Sequence, residues 1–180
     1  SHVINAKNII FAGTDAISIS DNNSLDVTGN FTIIFHIQPS NTQSLIRNYA
    51  IFSKGHPTDP NLGSISCESV NGYLRFFLHD DATQSLVHES INPILLSNHN
   101  IHIAITWHST NKIFKLYKDG VPVETQILSG GSYPPGWYSS TSSMGTINTN
   151  DSPFVWFNAA GKLNFKGKMK PTTIMSPTVW

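Results

Sequence analysis

The chain has 180 residues, a one-domain length that can bury a stable core without cross-links. Apolar residues make up 39% and aromatics 11%, too many for a disordered chain, while charged residues are only 12%. Eleven basic and eleven acidic side chains cancel, which argues against a nucleic-acid binder and equally against a polybasic membrane anchor.

The single cysteine, Cys67, excludes an internal disulfide and a Cys-rich zinc site, and reads as a small buried hydrophobe. No apolar run reaches about 18 residues, so no membrane insertion is expected. The opening Ser1-His2 reads as a tag scar or leader covering residues 1–7, with one domain over residues 8–180.

In chain order, period-two segments rich in β-branched and aromatic residues predict strands. They are Asn8–Phe11, Ala16–Ile19, Phe31–Gln38, Ala50–Ser53, Ser64–Glu68, Tyr73–His79 and Ser85–Glu89. They continue as Ile101–Trp107, Ile113–Lys118, Val121–Gln126, Met144–Ile147, Phe154–Phe157 and Lys162–Met169. Gln43–Arg47 is the one short helical or 3₁₀ candidate. Asn-Gly, Asp-Gly, Gly-Gly and Pro-Pro punctuate the strands as turns. Many short strands without helices predict an all-β, two-sheet antiparallel β-sandwich of the jelly-roll kind. Phe31, Ile33, Phe35, Ile101, Ile103, Ile105 and Trp107 form the apolar stripes of two central strands and are the expected core. Asp119-Gly120 predicts a tight hairpin, with Pro122 at an edge or bulge.

Around that hairpin the sequence resembles laminin-G-like domains of the concanavalin A-like lectin/glucanase superfamily. Ile101–Trp107 followed by Lys112–Tyr117 and Lys118-Asp119-Gly120-Val121 is similar to the family's "WHHIAITW…LYVDG". Phe11-Ala12-Gly13-Thr14-Asp15, Ser24-Leu25-Asp26 and Phe31-Thr32-Ile33 resemble its opening "FDGxDD…SLD…FTI". Ile51-Phe52-Ser53-Lys54-Gly55 resembles "ILSKG", Gly72–Phe76 the next strand, and Phe165-Lys166-Gly167-Lys168-Met169 the closing "FxGxID". The resemblance spans about residues 8–175 and implies two antiparallel sheets of six or seven strands in a concanavalin A-like jelly roll. Three positions depart: Asn100-Ile101 stand where relatives often have Trp-His, and Lys170 replaces an acidic residue that helps build a calcium site in many relatives.

Hydrolases of this superfamily carry carboxylates at alternate positions of one strand, and a retaining pair lies about 5 Å apart. No such strand occurs here: the aspartates fall in turns, and Glu68, Glu89 and Glu124 are dispersed. A non-enzyme is therefore expected. His102 and His108 share a strand face but lie roughly 20 Å apart, and His36 and His102 read as partly buried strand residues, not zinc ligands.

Two features can bind a ligand. The segment 130–140 carries Tyr133, Trp137 and Tyr138, stiffened by Pro134 and Pro135, and aromatic faces stack on sugar rings. The alternative is that Trp137 plugs the end of the sandwich. The acidic turn His79-Asp80-Asp81, with Asp59 in the neighbouring His56-Pro57-Thr58-Asp59-Pro60 loop, offers hard oxygens for a glycan or a calcium ion, and Asp15 is a second place for calcium. No other cofactor is expected. The sheet faces are expected to be committed to packing or to carry small polar residues.

These readings make the chain a carbohydrate- or surface-recognition module of a larger protein. Its partners would be a glycan or surface glycoprotein and the other domains of that protein, at a cell or virion surface or elsewhere outside the cell. A structural spacer of a phage, virus or adhesin is the alternative reading, with a glycan hydrolase third.

Overall fold

The computed structural model describes residues 9–41, 48–55, 64–79, 85–111, 113–127, 147, 149, 151–157 and 164–175. The described strands are β1 (Ile9–Ala12), β2 (Ile17–Ile19), β3 (Phe31–Pro39), β4 (Tyr49–Lys54), β5 (Ile65–Val70) and β6 (Tyr73–His79). They continue as β7 (Ser85–Glu89), β8 (Ile101–His108), β9 (Ile113–Lys118), β10 (Val121–Ile127), β11 (Phe154–Trp156) and β12 (Lys166–Met175). Two six-stranded sheets form, in the orders β1-β12-β3-β8-β9-β10 and β2-β11-β4-β5-β6-β7. All pairings are antiparallel, so the fold is the expected β-sandwich.

The register of β3 against β8 explains the core. Phe31 faces Trp107, Ile33 faces Ile105, Phe35 faces Ile103 and Ile37 faces Ile101, so two apolar stripes superpose on one face. All seven residues expected in the core are buried. The second sheet answers with Phe52, Phe76, Phe154 and Trp156. Phe52 packs its ring against Phe35, Phe76, Phe154 and Trp156 at centroid distances of 6.1, 6.1, 5.5 and 5.3 Å. Such contacts stabilise beyond area burial when rings meet edge-on or offset.

The turns follow the residues. Asp119 and Gly120 have φ of 51° and 81°, and Asn71 and Gly72 have 54° and 82°, the paired positive values of two-residue hairpins. Pro122 lies in the edge strand β10, where the register shifts between Pro122 and Glu124. Gly167 (φ 151°) lets β12 approach β3: a Cβ there would run into the Gln38 carbonyl oxygen and the Phe165 ring.

Several boundaries differ from expectation. The last strand is Lys166–Met175, not Lys162–Met169. It passes Pro171 because the ladder shifts register between Lys170 and Thr173, and a bulge tolerates a residue with no N–H to give. β11 stops at Trp156, because Phe157 adopts φ 65° and leaves the strand. Its amide donates to the Ile51 carbonyl at 2.9 Å and its ring stacks on Phe165 at 4.4 Å. Of Met144–Ile147 only Ile147 is described, in an isolated bridge, and Gln43–Arg47 lies outside the described residues. The one described helical piece is a 3₁₀ turn at Asn23–Leu25, its first amide groups capped by the Asn22 side chain on Ser24 N–H at 2.9 Å.

Ile103→Ala should lower stability by about 2–5 kcal/mol, the cost of an unfilled core position. A urea midpoint unchanged from wild type would contradict the β3–β8 register.

Candidate functional site

One end of the sandwich gathers the long connections. In the second sheet, Lys54 pairs with Ile65, Ile65 with Leu78, Leu78 with Leu86, and Phe154 with both Lys54 and Ile19. In the first sheet, Phe31 pairs with Trp107, and Ile113 with both His108 and Ile127. The two rims lie at the same end, because Phe76 of the second sheet packs against Phe31 and Phe114 of the first at centroid distances of 6.3 and 5.2 Å. Within the first sheet the Asn30 side-chain oxygen ties β3 to β8, accepting from the Ser109 amide at 2.8 Å and from its hydroxyl at 3.0 Å. The chain therefore leaves and re-enters at this end for segments 56–63, 80–84 and 128–153.

A buried cation sits beneath that rim. The Lys54 side chain is fully buried, and its ammonium donates to Asp21 Oδ1 at 2.6 Å and to the Ser152 carbonyl at 3.1 Å, with Asp26 Oδ1 at 3.2 Å. An ammonium removed from water is tolerable only with such compensation. The three partners come from the β2–β3 connection and the approach to β11, so the cluster joins three separate stretches of chain. The Ser64 amide donates to the Lys54 carbonyl at 2.8 Å and the His79 amide to the Ser64 carbonyl at 3.0 Å, continuing the ladder to the rim.

Asp80, Asp81, Tyr133, Trp137 and Tyr138 lie outside the described residues. Their flanks do not: His79 and Ser85 bound the first pair, and Ile127 and Ile147 bound the aromatic segment. Both segments thus start from the same end of the fold. Asp15 does not share it. Asp15 lies between Ala12 and Ile17, which pair with Lys166 and Trp156 at the opposite end. Its exposed carboxylate accepts the Ala12 amide at 2.8 Å as a turn closure. That gives calcium one carboxylate, already engaged, where calcium takes six to eight oxygens. Among the described residues no group of three or more His, Cys, Asp or Glu side chains is placed to hold a metal ion.

Besides Asp21 and Asp26, which share the Lys54 ammonium, a second pair of carboxylates lies on the second sheet's outer face. Glu68, Arg75 and Glu89 stand in register across β5, β6 and β7. Arg75 contacts Glu89 at 2.6 Å and Glu68 at 3.5 Å, so a guanidinium separates the two acids. Cys67 is buried as expected, and burial followed by the Glu68 charge pushes its thiol well up, away from a reactive thiolate. Burial likewise pushes the Tyr49 phenol up to about 12, partly offset by the Ser69 hydroxyl.

The first sheet's outer face departs from the expected small polar surface. His36 and His102 pair across β3 and β8 with rings stacked at 4.2 Å, and Lys170 stands opposite His36 on β12. Lys168, Lys115 and Tyr117 share this face. The alternation Lys166-Gly167-Lys168-Met169-Lys170 is the sequence signal for part of it.

Over residues 11–176 the sequence matches the family model described as the concanavalin A-like lectin/glucanases superfamily, in its laminin-G group, and the chain belongs to that family. No curated protein matches it. Its fold is similar to the CBM40 domain of the Ruminococcus gnavus IT-sialidase, solved bound to α2,3-sialyllactose, at 14% identity and a TM-score of 0.68, covering 97% of this chain and 92% of that one. It is also similar to the binding domain of Paraclostridial Mosquitocidal Protein 1 (14% identity, TM-score 0.66, 99% of this chain and 43% of that one). The binding domain of botulinum neurotoxin serotype D is a third likeness (17%, 0.62, 96% and 39%). The chain thus spans about two fifths of the toxin binding domains and nearly all of the sialidase module.

Lys54→Met should destabilise the domain by about 3 kcal/mol, the lower end for breaking a buried pair because Asp21 and Asp26 keep some water contact. Urea denaturation reads this, and an unchanged midpoint would show that the ammonium does not hold the rim.

Proposed function

We propose that the chain is a non-catalytic carbohydrate-recognition module of a larger extracellular or surface protein. The observation that carries this reading is the convergence at one end of a rigid sandwich. The segment bearing Tyr133, Trp137 and Tyr138 and the segment bearing Asp80 and Asp81 both leave from the rim braced by Lys54. Loops on a rigid scaffold are where sandwich domains place binding residues. Aromatic faces would stack on sugar rings, and the aspartates would accept hydroxyl hydrogen bonds. Family membership and the likeness to a sialidase module solved with a sialyl sugar support the ligand class.

The described carboxylates support a binding role over hydrolysis. Glycoside cleavage needs one acid kept protonated beside a second that stays ionised. Glu68 and Glu89 instead share Arg75 between them. Weak single-site binding would be raised by several copies or neighbouring domains in the parent protein.

A glycan array followed by calorimetry on the strongest neutral oligosaccharide tests this. Trp137→Ala should weaken binding by about 1–2 kcal/mol, as interface aromatics do, and leave the melting temperature nearly unchanged. Trp137→Ala that melts several degrees lower and binds as wild type would assign Trp137 to plugging the sandwich. Reducing ends released from the oligosaccharide would contradict the non-catalytic reading.

A further inference from the structure

The outer face of the first sheet carries a cluster of bases that the rim site does not use. On β12, Lys166, Lys168 and Lys170 alternate with Gly167 and Met169, and Met169 is buried while Lys168 and Lys170 are exposed. Alternate residues of a strand share a face, so three of the chain's eleven basic residues line one side of one strand. The register carries the row sideways: Lys170 stands opposite His36, and His36 opposite His102. Directly opposed side chains lie about 5 Å apart at Cβ, so Lys170, His36 and His102 form a row roughly 10 Å long. Lys168 stands opposite Gln38, whose amide is oriented by a 2.9 Å hydrogen bond to the Asn98 carbonyl. In a chain of zero net charge this is a local concentration of cations.

We propose that this face is a second ligand site, for the acidic groups of an anionic polysaccharide, and that it closes on its ligand more tightly as pH falls through the histidine range. The proposal takes the glycan class of ligand from the reading above but uses a different surface.

The proton coupling follows from the neighbours of the imidazoles. Burial, then the positive charges of His102 and Lys170, hold the His36 imidazole below its usual range, with Asp119 pulling the other way. Two imidazoles stacked at 4.2 Å with an ammonium alongside cannot all carry charge cheaply. Asp119, from the β9–β10 turn, is the acidic neighbour, and its Oδ1 accepts the His102 backbone amide at 3.0 Å. A sulfate or carboxylate laid across the row supplies the missing negative charge and raises the proton affinity of His36. Binding therefore takes up protons, and affinity rises as pH falls. The row lies away from the rim: along β3 it sits toward Pro39, whereas Phe31 begins the strand at the rim. An extended chain could follow β12 past Lys170, Lys168 and Lys166, a distance of roughly 13 Å.

The test measures binding of dextran sulfate, polygalacturonate, neutral dextran and a single-stranded DNA oligonucleotide at low salt. The first two arms separate sulfate from carboxylate as the recognised acid. Wild type should retain at least one acidic polysaccharide and not neutral dextran, with affinity about tenfold higher near pH 5.5 than near pH 7.5. Lys168→Gln combined with Lys170→Gln should lose about tenfold or more at both pH values, since phosphate-like anions are held by cation contacts. His36→Gln combined with His102→Gln should flatten the pH dependence and keep the binding seen near pH 7.5. Melting curves verify that each variant is folded. All variants should bind the neutral array oligosaccharide as wild type does.

A flat pH profile in wild type, or unchanged affinity in the double lysine variant, overturns the proposal. So does DNA binding tighter than either polysaccharide, which would make the face a general polyanion surface. Retention of the neutral oligosaccharide alone sinks this site and leaves the rim reading standing, whereas loss of every glycan sinks both.

Discussion

The structure turns on one buried charge. The Lys54 ammonium has no water to solvate it, so its position is dictated by three oxygens from Asp21, Asp26 and Ser152. Two of these lie in the β2–β3 connection and the third just before β11, separated from Lys54 by up to 98 residues. A wholly apolar cluster, with Lys54, Asp21 and Asp26 all replaced, could fill the volume, and replacing an entire buried ion pair in this way is often no less stable. What it could not do is select one arrangement of those three stretches, because apolar contact is non-directional. The cluster makes the rim a defined platform from which the long segments depart.

Beneath the platform, packing is generic in kind and specific in register. The β3 and β8 stripes face Phe52, Phe76 and Trp156 across the sandwich, and a slip by one residue would turn every one of those side chains to solvent. The same alternation that commits one face of β3, β8 and β12 to the core delivers His36, His102, Lys168 and Lys170 to the other. Burial and surface chemistry are consequences of a single periodicity. The rim and the basic face are therefore separately mutable, since they belong to different ends and different faces of the same rigid body.

Much of this was legible in the sequence, and the reasons are local. Period-two runs located the strands. Asp119-Gly120 located a hairpin because few other residue pairs accept two positive φ angles. The family-like motifs proved to be structural joints: Gly167 permits close approach to Gln38, and the lysine of Ile51–Gly55 reaches the aspartate of Ser24–Asp26. That ion pair could not be read beforehand, because strand patterns carry no information on which distant segments meet. The end of β12 lies beyond the expected Met169, because a bulge between Lys170 and Thr173 absorbs Pro171, a residue that otherwise argues against a ladder. The stacked imidazoles were missed because pairing His36 with His102 needs the strand order, although the alternating lysines were open to view. Of the candidate site, the sequence proposes Asp80, Asp81 and Tyr133–Tyr138, which lie outside the described residues, and the fold adds that the flanks of both segments start from one end while Asp15 starts from the other.

The most direct test of the account is an amide NMR titration of the isotope-labelled domain with a neutral oligosaccharide chosen from the array. The account predicts saturable shifts concentrated at the rim, on His79, Ser85, Ile127, Ile147 and Phe154, and an oligosaccharide recovered intact. Shifts confined to the opposite end, around Asp15, Gly72 and Gly120, or an oligosaccharide recovered cleaved, would contradict it.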